Sequence, residues 1–168
     1  MSKYSEGATG EGPGPNDVRP LIDETDRRIL EVLAVEARIP NNALADRVGI
    51  APSTCLTRVR SLLDRRVITG FHAEIDPEAV GYSIQAIIGV RLQVDARDVI
   101  HSFSGRLAEM AEVRNVFFIA GGHDFLVHVV ARDTTELREF VVVNLSGSPE
   151  VASTETNFIF EHLHVHRL

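Results

Sequence analysis

RIPNNALADRVGIAPSTCLTRVRSLLD, residues 38–64, contains the punctuation that decides the fold of the first half. Pro40 disfavours helical geometry in the residue before it and so ends the helix that precedes it. Asn41 or Asn42 can then cap a short helix through Val48, with Leu44, Ala45 and Val48 facing inward. Gly49 stops that helix, and only about three residues later Pro52-Ser53 opens a third one. In it Leu56, Val59, Leu62 and Leu63 are expected to form the buried stripe. Two helices joined by a tight glycine turn form a helix-turn-helix pattern.

Working outward, Asp23 followed by Asp26 reads as a helix start, and Ile29, Leu30, Leu33 and Val32 give the first helix its apolar stripe. After the third helix, Val67, Thr69, Phe71, Ala73 and Ile75 recur at every second position, which predicts a strand or wing. Generic three-helix bundles share the helical part of this pattern. Upstream, the Gly-Pro-rich run Gly7 through Pro15 has almost nothing to bury, so residues 1–20 read as a disordered tail.

Beyond Asp76-Pro77 the rhythm changes. Tyr82 to Val94 reads as a strand, Arg97 to Ala111 as a helix, and Val113 to Ala120 and Phe125 to Ala131 as strands around the turn Gly121-Gly122-His123-Asp124. A helix from Thr134 to Leu145, with Thr134 as its cap, and a final strand from Val151 to Val165 complete the order β-α-β-β-α-β. The expected class is therefore α+β: a winged helix-turn-helix at 21–76, a linker at 77–81, and a ferredoxin-like βαββαβ sandwich at 82–168. One face of such a sheet is left free of helices, and an apolar free face calls for a second copy.

Composition narrows the function. The 168 residues are 44% hydrophobic and 24% charged, an ordinary globular balance, and no apolar run approaches the roughly 18 residues of a membrane helix. Met1 to Asp17 lacks a signal-peptide core, and the single Cys55 excludes an intrachain disulfide framework, so a cytoplasmic location without membrane association is expected. Net charge is −7, yet from Arg47 to His72 five arginines face one acid, Asp64. A basic island in an acidic chain points to a confined anion-binding face. No Ser/His/Asp, Cys/His or phosphate-loop spacing appears, which argues against an enzyme.

Residues 38–62, the Val67 to Phe71 and Asp76-Pro77 segments, Gly81-Tyr82, the Gly121-Gly122-x-Asp124-Phe125 loop and the Thr154-x-Thr156 strand together resemble the Lrp/AsnC regulators, from Leu21 to the C-terminus. The resemblance implies a transcription factor that binds double-stranded DNA and senses an amino acid. It also implies a homodimer, assembling further to an octamer with effector between dimers, and no other cofactor. Asp64-Arg65-Arg66 departs from the family, which commonly places an acidic residue and a glycine before the wing.

The DNA-binding candidates are Asn41, Ser53, Thr54, Thr57, Arg58, Arg60 and Arg65. Ser53, Thr54 and Thr57 lie near a helix N-terminus, whose dipole favours phosphate, and arginines pair phosphates or guanine edges. Arg58 and Arg60 are two residues apart and cannot share one face; either can also be an ordinary solvated charge. Cys55 reads as a small buried residue or a redox sensor. The effector candidates are Gly121, Gly122, His123, Asp124, Thr154 and Thr156. Bare glycine N–H groups suit a carboxylate and Asp124 an ammonium, although a hairpin needing positive φ explains the glycines equally well. His162, His164 and His166 alternate, which puts them on one strand face as a polar surface, an oligomer contact or a metal site. No metal is expected, because neighbours on one strand stand about 7 Å apart. The alternatives to a sequence-specific regulator of amino-acid metabolism genes are a low-specificity DNA-wrapping protein and a metal-responsive regulator.

Overall fold

The computed structural model describes residues 22–94, 100–163 and 165. The expected tail at 1–20, His164 and His166 lie outside them. The described residues form two compact units that divide between Ala73 and Glu74.

The first unit holds α1 (Glu24–Val35), α2 (Asn41–Val48) and α3 (Pro52–Asp64). Asp23 caps α1 as its spacing predicts, its Oδ1 accepting the Asp26 N–H at 2.8 Å. Ile29, Leu30 and Leu33 of α1 pack with Ile39, Leu44, Ala45, Val48, Cys55 and Leu62 in one core. Gly49 ends α2 at φ 75°, its N–H reaching the Ala45 and Asp46 carbonyls, a left-handed cap that favours glycine.

Three expectations need correction here. Pro40, not Asn41 or Asn42, occupies the cap position of α2, without a side-chain bond. The inward stripe of α3 is Cys55, Val59 and Leu62, whereas Leu56 and Leu63 are 40% and 37% exposed. Val59 and Leu62 face inward as expected, and Cys55, small enough for a fully buried position, takes the place expected of Leu56. Residues 67–75 form no strand. Val67 and Ile68 dock against the core, both N–H groups donating to the Leu62 carbonyl, while Phe71 and Ile75 stay exposed. Alternation alone makes no strand without a partner ladder, and among the described residues this segment has none. Ahead of it Arg66 takes φ 56°, the left-handed geometry that glycine adopts at no steric cost.

The second unit begins with a 3-10 turn, Glu78–Val80, then β1 (Ile84–Leu92), α4 (Ile100–Ala108), β2 (Val113–Phe118), β3 (Phe125–Ala131), α5 (Thr134–Phe140), a π-helical turn (Val141–Ser146) and β4 (Val151–Phe158). The sheet runs β2-β3-β1-β4 with every neighbour antiparallel, the split-βαβ arrangement that the element order predicts. Ala86, Ile88, Val90 and Leu92 of β1, with Phe125, Val127, Val129 and Ala131 of β3, face Phe103 and Leu107 of α4 and Leu137 and Phe140 of α5. Asp133 rather than Thr134 caps α5, its Oδ1 accepting the Thr135 and Glu136 N–H groups, because its carboxylate reaches two orphan donors. The last strand stops at Phe158, so His162 is not on it. His162 thus departs from the expected histidine face, while His164 and His166 lie outside the described residues.

The opposite sheet face carries Gln85, Ile87, Gly89 and Arg91 of β1, paired across the ladder with Val130, His128 and Leu126 of β3 and with Glu155 and Asn157 of β4. His128 is buried, its ring nitrogens engaged by Asn115 Nδ2 at 3.3 Å and Gln85 Oε1 at 3.1 Å.

Candidate functional site

Burial sorts the residues of α3 into two faces. Cys55, Val59 and Leu62 face the core, while Ser53, Thr54, Leu56, Thr57 and Arg60 are exposed. Ser53, Thr57 and Arg60 recur at helical spacing and so form one solvent stripe. The N-terminus of α3 has Ala51 at the cap with no side-chain bond, and Pro52 in its first turn. Its leading N–H groups therefore point outward unsatisfied by a cap, which favours an anion. Thr57 Oγ1 donates to the Ser53 carbonyl at 3.0 Å, which holds its side chain against the helix. Asn41 Nδ2 donates to the Pro52 carbonyl at 2.9 Å, fastening the start of α2 to the start of α3.

The arginines of the basic island differ sharply. Arg58 Nη1 lies 2.6 Å from Asp23 Oδ2 and 2.8 Å from Asp26 Oδ1. Arg65 Nη2 reaches the other Asp26 oxygen at 3.3 Å, and Arg47 Nη1 pairs with Glu36 at 2.7 Å. Asp26 is buried, and its two oxygens are taken by two guanidinium groups. The Asp26 N–H, with Arg58 adding its hydrogen bond, holds the Asp23 carboxyl below its ordinary range, and the same contacts with Asp23 and Asp26 raise Arg58. Arg60 is exposed and makes no ion pair among the described residues. Nothing in the sequence separates Arg58 from Arg60 beyond the helical period that puts them on different faces. Burial pushes the Cys55 thiol up, which suppresses the reactive thiolate and favours the packing role.

In the second unit, Gly121 (φ 146°), Gly122 and Asp124 line a cavity of about 200 Å³ with Arg91, Leu92, Gln93, Val94 and Ile100. Asp124 pins its loop across β1: its Oδ2 accepts the Leu92 N–H at 2.8 Å, and its own N–H donates to the Val90 carbonyl at 2.9 Å. The exposed Arg91 adds a cation to the carboxylate of Asp124, so the cavity carries both charges a zwitterion would meet. Sequence reasoning missed Arg91; its place opposite the loop follows only from the pairing of Gly89 and Val90 with Leu126 and Phe125. The His123 ring rests over Gly89, where an added Cβ would come within 2.7 Å of it, and its Nε2 lies 3.4 Å from Glu155 Oε2.

Thr154 and Thr156 lie elsewhere. They pair with Val90 and Ile88, and so sit on the helix side of β4. Thr154 Oγ1 is 3.2 Å from Ser146 Oγ, and Thr156 lines a separate, mostly apolar hollow of about 230 Å³ with Leu137, Val141 and Phe158. The glycine loop and Thr156 line two different cavities. His162 stacks edge-on against His128 at 5.8 Å between ring centroids. Among the described residues no group of three metal-ligating side chains assembles.

Comparison with known proteins adds to this geometry. A family model described as a winged helix-turn-helix DNA-binding domain matches residues 22–69, and one described as the Lrp/AsnC ligand binding domain matches residues 85–167. The HTH-type transcriptional regulator AldR of Mycobacterium tuberculosis is 54% identical over 160 residues, covering 95% of this chain and 89% of that protein. The crystal structure of MtbAldR superposes with a TM-score of 0.73 at 52% identity, covering 86% of this chain and 98% of that one. A transcriptional regulator from Neisseria meningitidis, solved in complex with L-Met, gives a TM-score of 0.79 at 29% identity over 86% of this chain and 94% of its own.

Proposed function

Because the chain belongs to the Lrp/AsnC family of DNA-binding transcriptional regulators, we propose that it recognises a specific operator through the exposed stripe of α3 and adjusts that binding to a free amino acid. The carrying observation is that stripe: an uncapped helix N-terminus, Ser53 and Thr54 beside it, and Arg60 two turns on with no internal ion pair. Phosphates suit the N-terminus, and a guanidinium two turns along suits a base edge or the opposite backbone. Asn41 and Thr57 serve by holding α2 and α3 in register, while Arg58 and Arg65 serve from within the fold.

The amino-acid site is the cavity at Gly121, Gly122 and Asp124, with Arg91 and the glycine N–H groups receiving the carboxylate and Asp124 the ammonium. Thr154 and Thr156 join such a site from a second copy, with the effector bound between copies. The homodimer buries the helix-free sheet face, higher assembly to an octamer brings effector sites together, and no other cofactor is required. A two-fold dimer reads a roughly palindromic operator with half-sites one or more helical turns apart. The genes controlled belong to amino-acid metabolism and the protein acts in the cytoplasm.

The test is a thermal-shift screen of the twenty amino acids. At least one should raise the melting temperature of the wild type, and Asp124→Ala or Arg91→Ala should abolish that shift. A wild type that no amino acid stabilises contradicts the sensor reading.

A further inference from the structure

The basic island of the sequence is half-neutralised in the fold, and the neutralising acids come from outside it. Between Arg47 and His72 the sequence has five arginines against Asp64 alone. Asp23, Asp26 and Glu36 lie 11 or more residues upstream of that island, and they hold Arg58, Arg65 and Arg47. The Asp26 carboxylate is buried; Arg58 reaches it from the middle of α3 and Arg65 from the C-terminal cap of that helix. Arg58 also grips Asp23, the residue that caps α1. Around α3 this leaves Arg60 and Arg66 without an ion pair among the described residues.

We infer that Asp23 and Asp26 are specificity-determining residues: they sequester Arg58 and Arg65, limiting the sequence-independent attraction of α3 for the DNA backbone while fixing the angle at which α3 is presented. This rests on the DNA-binding reading above and deepens it. Sequence-independent affinity grows with each phosphate neutralised, whereas base reading does not. Four free arginines around α3 (Arg58, Arg60, Arg65 and Arg66) would strengthen binding to a duplex of any sequence. With two of them held by carboxylates, the discriminating contacts carry a larger share of the binding. The held pair is also stiff, because two guanidinium groups converging on one buried carboxylate restrict the roll of α3 on α1.

The experiment measures the affinity of the full-length protein for two labelled duplexes across a salt series: one of random sequence, and one selected by the protein from a randomised pool. Asp23→Asn/Asp26→Asn should bind the random duplex more tightly, with a log–log salt slope steeper by about 1 to 2, and its preference for the selected duplex should shrink. Arg60→Ala should make the slope shallower by about 1, whereas Arg58→Ala should leave it within a few tenths of wild type. Should Asp26→Asn fail to fold, Asp23→Asn alone removes the exposed half of the lock and should show the same direction. Equal loss of slope in Arg58→Ala and Arg60→Ala overturns the proposal, as does a folded neutralised variant that binds both duplexes more weakly in the same proportion. A wild type that binds neither duplex at any salt concentration sinks the DNA-binding reading instead.

Discussion

Arg58 and Arg60 are chemically identical and two positions apart, yet the 100° step of the helix gives them different roles: one braces the fold and the other faces solvent. Asp23 shows the same economy in serving α1 as its cap and Arg58 as its counter-ion. Its carboxyl is held below the ordinary aspartate range, so it contributes stability above that range and loses it as pH falls through the lower folded value. Melting of the wild type from neutral pH into that range should therefore fall more steeply than melting of Asp23→Asn. Parallel curves would remove Asp23 from the acid sensitivity. Arg66 pays for a left-handed turn with its own backbone, so Arg66→Gly should raise unfolding stability by up to about 1 kcal/mol in denaturant titrations.

At the scale of elements, the turn between α2 and α3 carries the geometry on which DNA reading depends. Gly49 sits at φ 75°, so Gly49→Val should cost about 1–2 kcal/mol and weaken duplex binding together with stability. Leu62 is fully buried, and Leu62→Ala should cost about 2–5 kcal/mol in the same titration. The helices and the β-α-β-β-α-β order were legible because prolines, glycines and the capping Asp23 punctuate the chain between runs of helical or alternating apolar spacing. The strand expected within 67–75 is absent because alternation reports which residues tolerate burial, not whether a partner strand exists. The last strand was overextended for a similar reason, its pattern continuing beyond Phe158 where the ladder with β1 ends. The glycine loop was visible in sequence, but Arg91 entered its cavity through strand register, a property of two distant segments at once. Likewise the Arg58–Asp26 pair spans 32 positions and leaves no local mark.

For the whole molecule, the two units have distinct chemistry: one presents a helix stripe suited to DNA, the other a charged cavity and a helix-free sheet face. Ile87, Leu126 and the half-exposed Phe117 on that face should be covered by a second copy, so light scattering should give a dimer or a multiple of it. Phe117→Glu should lower the assembly state, and a monomeric wild type would rule the arrangement out. Effector and DNA are coupled only if the amino acid prefers one arrangement of copies over another. The most direct test of that link is the dissociation constant for the selected duplex, measured with and without each stabilising amino acid at fixed salt. The account predicts that at least one shifts it by about 5-fold to 150-fold, with Asp124→Ala binding DNA normally but no longer responding. An unchanged dissociation constant for every amino acid that stabilises the protein would contradict it.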